Sequence, residues 1–162
     1  MSEPDLILCD IISTEMSLDA DRVVVYDQNF IPPKDQDIYI VVALQSSKII
    51  GNNNRFNPVT EEEEQYISVS ETYNVEITSK NRDALTNRFG VNLAIKSTYS
   101  QQKQEENQIR IFRTNTNLDL SFIEGTSSLH RYRIPVIINS TKISDKAIDI
   151  YDNFQAVEEA TE

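Results

Sequence analysis

The chain is poor in the residues on which most enzymatic chemistry depends. Its 162 residues include three glycines, one cysteine, one histidine and no tryptophan. Walker loops and dinucleotide fingerprints need glycines in close succession, and a Gly-x-Ser-x-Gly elbow needs two, so neither nucleotide binding nor that nucleophile turn finds support. Zinc centres draw on several Cys and His ligands at fixed spacings, whereas Cys9 and His130 stand alone and far apart. Cys9 has no internal disulfide partner, which fits a reducing compartment. His130 is expected to be an ordinary strand residue with a local hydrogen bond. Basic residues are also scarce, with 15 Lys and Arg against 26 Asp and Glu and a formal charge of −11. Phosphate neutralisation requires the opposite balance, which argues against a general nucleic-acid binder. The start, Met1 to Asp5, lacks the basic and apolar stretches of a signal peptide. No apolar run approaches the roughly eighteen residues that span a bilayer. The sequence reading is therefore a soluble protein without export signal or membrane partner.

The chain does contain a long period-two pattern. Over residues 66–78, Ile67, Val69, Tyr73, Val75 and Ile77 fall on one face, and Ser68, Ser70, Thr72, Asn74, Glu76 and Thr78 on the other. Only a half-buried strand sorts residues this way. At about 3.3 Å per residue it is roughly twice an ordinary strand. Glu71 is the polar exception on its apolar side. It marks a bulge, an intersubunit salt bridge or the point where the strand overruns its core.

Around this strand the sequence predicts an α+β fold: an antiparallel, partly long-stranded sheet with one main helix over about 80–103 and an N-terminal helix packed on it. Pro4 and Asp5 open the N-terminal helix, and Ile7, Leu8, Ile11, Ile12 and Met16 form its stripe. Ser79 or Asn81 can cap the second helix. Gly90 lies within it at a cost of about 1 kcal/mol, which close packing against the sheet would explain. Residues 22–26, 108–113, 118–122, 129–138 and 148–154 are further strand candidates. Residues 38–44, apolar on both sides, predict a strand covered on both faces. Pro135 places its strand at an edge or a bulge. Residues 51–60 predict a protruding polar loop. Residues 1–154 form one domain on this reading, and 155–162 an acidic tail.

Two groups of side chains stand out. Glu61, Glu62, Glu63 and Glu64 form an acidic run at the end of the predicted loop; consecutive carboxylates diverge and lack the glycine-turned loop of a calcium site, so a solvated patch is expected rather than a metal site. Arg131 and Arg133, two apart on a strand, share a face. They are either a solvent-facing pair or a fork that grips carboxylates of a neighbouring molecule. No catalytic residue, cofactor or metal is predicted.

Several stretches in serial order carry a resemblance: Arg22-Val-Val-Val-Tyr-Asp-Gln-Asn-Phe; Tyr39-Ile-Val-Val-Ala-Leu with Gly51-Asn-Asn-Asn-Arg-Phe-Asn; Ser79-Lys-Asn-Arg-Asp-Ala; Ser97-Thr-Tyr-Ser-Gln-Gln-Lys-Gln-Glu; Leu120-Ser-Phe-Ile-Glu-Gly-Thr-Ser-Ser-Leu-His-Arg-Tyr-Arg-Ile; and Ile150-Tyr-Asp-Asn-Phe. Over roughly residues 20–154 the chain resembles the phage neck or tail terminator proteins. The resemblance implies helices on an antiparallel sheet and a homo-oligomer, usually a hexameric ring, on the last ring of a tail tube. Such a ring stops tube polymerisation and offers a docking face to the neck or connector protein, with the end of a sheath as a further partner in contractile tails. The implied location is the virion, after synthesis in the host cytoplasm, and the implied protein is not an enzyme. On that expectation Glu71, Arg131 and Arg133 are subunit or docking contacts, and Glu61 to Glu64 face the lumen or a docking surface, where negative charge lets DNA pass without capture. The alternatives are a head-completion adaptor of the same neck, a small metal-dependent hydrolase, and a monomeric binder of host proteins.

Overall fold

The structure, a computed structural model, describes residues 3–27, 30–57, 62–114, 116–124 and 127–147. The strand candidate at 148–154 and the acidic tail at 155–162 lie outside the described residues. Helix α1 (Pro4–Glu15) begins with proline in its first turn and Asp5 near the positive end of its dipole, and it buries Ile7, Leu8, Ile11 and Ile12. A 3-10 turn, Ala20–Arg22, leads into β1 (Val23–Val25). Strands β2 (Tyr39–Asn57) and β3 (Glu62–Ser79) follow as one long hairpin. Three short helices come next: α2 (Asp83–Thr86), α3 (Gly90–Ile95) and α4 (Thr98–Glu106). The described residues end in β4 (Arg110–Arg113), β5 (Leu118–Asp119), β6 (Phe122–Glu124) and the long β7 (Ser127–Ala147).

The fold is α+β, mostly sheet. The strands run in the order β1-β2-β3-β7-β4, with β5 and β6 also on β7. The sheet is mixed, because β1 pairs parallel with β2 while the other pairs are antiparallel. This corrects the expectation of a purely antiparallel sheet: the connection between β1 and β2 is long enough to return the chain to the same end of the sheet, as a parallel pair requires. One face carries the core, where Ile40, Val42, Val75, Ile77, Ile134 and Val136 are fully buried against α1 and α3 residues such as Leu8 and Val91.

The single helix expected over 80–103 is broken in three. Side chains that bond to nearby backbone compete with helix propagation, and they sit at the breaks. Asn87 Nδ2 donates to the Asp83 carbonyl at 3.0 Å, closing α2, and Ser97 Oγ accepts from Ser100 N at 3.0 Å, opening α4. The N-cap of α2 is Arg82, without a side-chain cap bond, but both expected residues serve the first turn from further back: Ser79 Oγ accepts from Ala84 N at 2.9 Å, and Asn81 Oδ1 from Asp83 N at 2.9 Å. Gly90 meets α1 rather than the sheet, since a Cβ there would lie 2.6 Å from Met16 Cε.

Two expectations about strands also change. Residues 51–57 form the distal half of β2, with Gly51 opposite Ser68 and Asn57 opposite Glu62. Main-chain bonds to β3 hold this polar segment extended, with no need for an apolar face. Around Pro135 strand β7 is interior, with β3 on one side and β4 and β5 on the other, yet Pro135 fits because it falls at a gap: β4 ends its pairing at Val136 and β5 begins at Arg133. The Pro135 carbonyl accepts from Thr114 N at 3.3 Å on that side, so the missing N–H faces the gap and not the β3 ladder.

Candidate functional site

The helices cover only one end of the sheet. Beyond Leu44 on β2, Ser70 on β3 and Ile138 on β7, the three strands continue as an antiparallel ribbon through residues 46–57, 62–70 and 139–147. β2 has 19 residues, about 60 Å of strand. Every β2 residue from Leu44 to Phe56 is exposed. Ile49 is 66% exposed, and Ile50, Phe56, Ile67 and Ile143 are exposed elsewhere on the ribbon. Both outer edges of the ribbon are open among the described residues: β1 pairs with β2 no further than Val42, and β4 with β7 no further than Asn139. Register shifts in β2 between Leu44 and Ser46 and between Ile49 and Gly51 twist that edge.

The ribbon differs in charge from the rest of the chain. Its acidic residues Glu62, Glu63, Glu64 and Asp145 are matched in number by Lys48, Arg55, Lys142 and Lys146, so it is formally neutral on a chain of charge −11. Of the acidic run, Glu61 lies outside the described residues and Glu62 begins β3. Glu63 and Glu64 are half-buried at the distal end of the ribbon, in register with Phe56 and Arg55. The Tyr66 hydroxyl donates to Glu64 Oε2 at 2.5 Å. The carboxylates thus form a strand end instead of a solvated loop.

Glu71 sits where ribbon and covered sheet meet. It points to the helix side, is 7% exposed, and accepts a hydrogen bond from Tyr73. The neighbouring bulge is in β2, between Leu44 and Ser46, and not in β3 itself. Burial first, and then the charge of Glu71, pushes the Tyr73 hydroxyl well above its ordinary range.

Arg131 and Arg133 lie on the opposite face, away from Glu71, and converge on Glu76. Arg131 Nε donates to Glu76 Oε2 at 2.9 Å, and Arg133 Nε to Oε1 at 2.7 Å. A second Arg131 nitrogen reaches the same Oε2, and Arg133 Nη2 lies 2.6 Å from Oε1. The Glu76 side chain is only 15% exposed. Beside this cluster a groove of about 230 Å³ opens on the sheet face away from the helices, walled by Tyr26, Phe30, Pro32, Tyr39 and Leu129. The Phe30 and Tyr39 rings stand 6.1 Å apart. Here the connection after β1 covers part of the second face, and Val41, on that side, is 9% exposed. The two-sided cover expected over residues 38–44 is thus met as far as Val42, the second face in part by the chain's own connection, whereas Leu44 is 54% exposed.

Glu76 was not distinguished by sequence reasoning. It belongs to the polar row of β3, and its meeting with Arg133 depends on the β3–β7 register, in which the two are directly paired. That register is not encoded in either segment alone. His130 stands opposite Ser79 on the helix-facing side. Among the described residues, no three His, Cys, Asp or Glu side chains converge on a point that could hold a metal ion. No described helix is long and apolar enough to cross a membrane.

Comparison with protein-family models and with curated proteins finds no match to this chain.

Proposed function

We propose that the chain is a structural protein of a tailed phage virion, a tail terminator whose copies close into a homohexameric ring on the tail tube and present a docking face to the neck. The observation that carries this reading is the ribbon, which no helix among the described residues covers. A monomer has little use for a strand of 19 residues with exposed isoleucines and open edges, because such edges invite pairing with another chain. Formal neutrality lets ribbons approach within chains whose net charge of −11 would otherwise repel. The strand order sets the geometry of that approach. Both β2 and β7 are antiparallel to β3, so they run parallel to each other. A rotation that sets the β7 edge of one copy beside the β2 edge of the next repeats the same contact in one direction, and such heterologous contacts form a ring where the rotation closes, as it does in the proposed hexamer. The bulges and Lys48 on β2 restrict which edge can be accepted, which limits indiscriminate association.

The test is to add the purified chain to tails assembled without it. By negative-stain microscopy a gold-labelled chain should mark one end of each tube, and the over-length tails formed in its absence should give way to a uniform length. Label scattered along the tube, or no label on tubes at all, would remove the reading.

A further inference from the structure

We propose that the groove beside Arg131 is a binding site for an extended acidic and aromatic peptide, and that its occupant is residues 148–157 of a second copy of this chain. The inference requires only two copies and stands apart from the ring.

Three observations lead to it. The groove walls are aromatic and only partly filled: Tyr26 at its edge is 60% exposed, and Phe30 and Tyr39 leave a cleft of about 230 Å³ between the connection and the sheet. One end of the cleft carries surplus positive charge, since two guanidinium groups share the single carboxylate of Glu76, and the Arg131 side chain remains 37% exposed. An Arg fork with donors to spare selects carboxylates, and an aromatic wall selects aromatic or branched side chains next to them. Residues 148–154 supply that combination: Ile148, Ile150, Tyr151 and Phe154 are interleaved with Asp149 and Asp152, with no Lys or Arg from there to residue 162.

Reach decides between the chain's own segment and that of another copy. Ala147 pairs with Glu62 at the far end of the ribbon, while Arg131 pairs with Thr78, sixteen positions back along β7. That separation is roughly 50 Å, and the seven residues from 148 to Phe154 extend no more than about 25 Å. The segment falls short of its own groove and must come from a neighbour.

The test titrates a fluorescently labelled synthetic peptide with the sequence of residues 148–162 against the intact chain and reads anisotropy. Saturable binding is expected. It should weaken at least about tenfold in Arg131→Gln, in Tyr26→Ser, and for a peptide carrying Phe154→Ala, and it should fall with added salt. Arg133 still holds Glu76 in Arg131→Gln, and Tyr26 lies outside the core, so far-UV circular dichroism should match the parent in both. No saturable binding to the parent overturns the inference. So does binding that survives both protein variants, or equal binding of a scrambled peptide of the same composition. Failure to cap tails with peptide binding intact would remove the ring and leave this site standing; the reverse result would do the opposite.

Discussion

The Tyr73 hydroxyl donates to Glu71 Oε2 at 3.1 Å, two positions along the same face of β3, and this bond fixes a carboxylate that is 7% exposed at the boundary between core and ribbon. A buried acceptor that loses its donor keeps its desolvation cost. Tyr73→Phe removes only the hydroxyl and should destabilise the chain by about 1–3 kcal/mol. Glu71→Gln in the Tyr73→Phe background should recover part of that loss, because a neutral amide is cheaper to bury than a carboxylate. Urea denaturation of the two single variants and the double variant measures both effects and their coupling.

On the other face, Glu76 is shared by two arginines, and sharing makes the cluster asymmetric. Removing either arginine leaves the carboxylate paired, whereas removing the carboxylate leaves two guanidinium groups 34–37% exposed and facing each other. Glu76→Gln should therefore cost about 1–2 kcal/mol, more than Arg131→Gln or Arg133→Gln. The difference should shrink as salt is raised, since solvent reaches the arginines. Thermal melts of the three variants at low and high salt decide the order, and equal losses would mean that the arginines act through packing instead.

How much of this was legible in the sequence depends on whether a feature is local. The alternation from Ile67 to Ile77 and the stripe from Ile7 to Ile12 encode burial directly, and β3 and α1 bury those residues as the periods require, apart from the exposed Ile67. Asn52, Asn53 and Asn54 carry no such pattern. They are strand only because β3 lies beside them, and a partner supplied by the fold cannot be read from a turn-prone segment. The apolar spacing over 80–103 marked the buried side only in part, since Ala84 and Ile95 are buried but Phe89 and Leu93 are exposed while Val91 and Asn92 are buried, and Asn87 and Ser97 divert the backbone hydrogen bonds that one continuous helix would need. The Arg131–Glu76–Arg133 cluster needed a register between segments 55 residues apart. The residue types were visible; their meeting was not.

Cys9 gives the chain an alkaline limit. Burial first, and then the negative charge of Asp5, pushes its thiol up to about 12. The folded state favours the neutral thiol, so its contribution to stability is complete below the ordinary value of about 8.5 and is lost as pH rises from there toward 12. Two outcomes follow. At pH 8 the native chain should react with iodoacetamide at least about a hundredfold more slowly than the urea-unfolded chain, because the thiolate is the nucleophile. Cys9→Ser should flatten the fall in melting temperature between pH 8.5 and 10.5, which calorimetry at stepped pH records. Equal alkylation rates in both states would show that the thiol is neither buried nor shifted.

The ribbon separates stability from assembly, and this makes its role measurable. Ile49 stands in register with Val69, yet it is 66% exposed while Val69 is 7% exposed. Ile143, on the opposite face of the ribbon, is 52% exposed. Isoleucines that bury so little within the chain contribute little to its fold, so Ile49→Glu and Ile143→Glu should each change the stability of the monomer by less than about 0.5 kcal/mol. Val75, fully buried in the same sheet, sets the contrast: Val75→Ala opens the core and should cost about 2 kcal/mol or more. If the ribbon is the surface by which copies meet, the order reverses for assembly. Two added carboxylates per copy give the neutral ribbon the charge sign of the body, and like charges brought edge to edge repel. The double variant Ile49→Glu/Ile143→Glu should melt like the parent but leave tails uncapped, while Val75→Ala, kept below its melting temperature, should still cap them. A double variant that caps tails normally would show that the exposed isoleucines take no part in assembly, and the function would have to be sought on the helix-covered body.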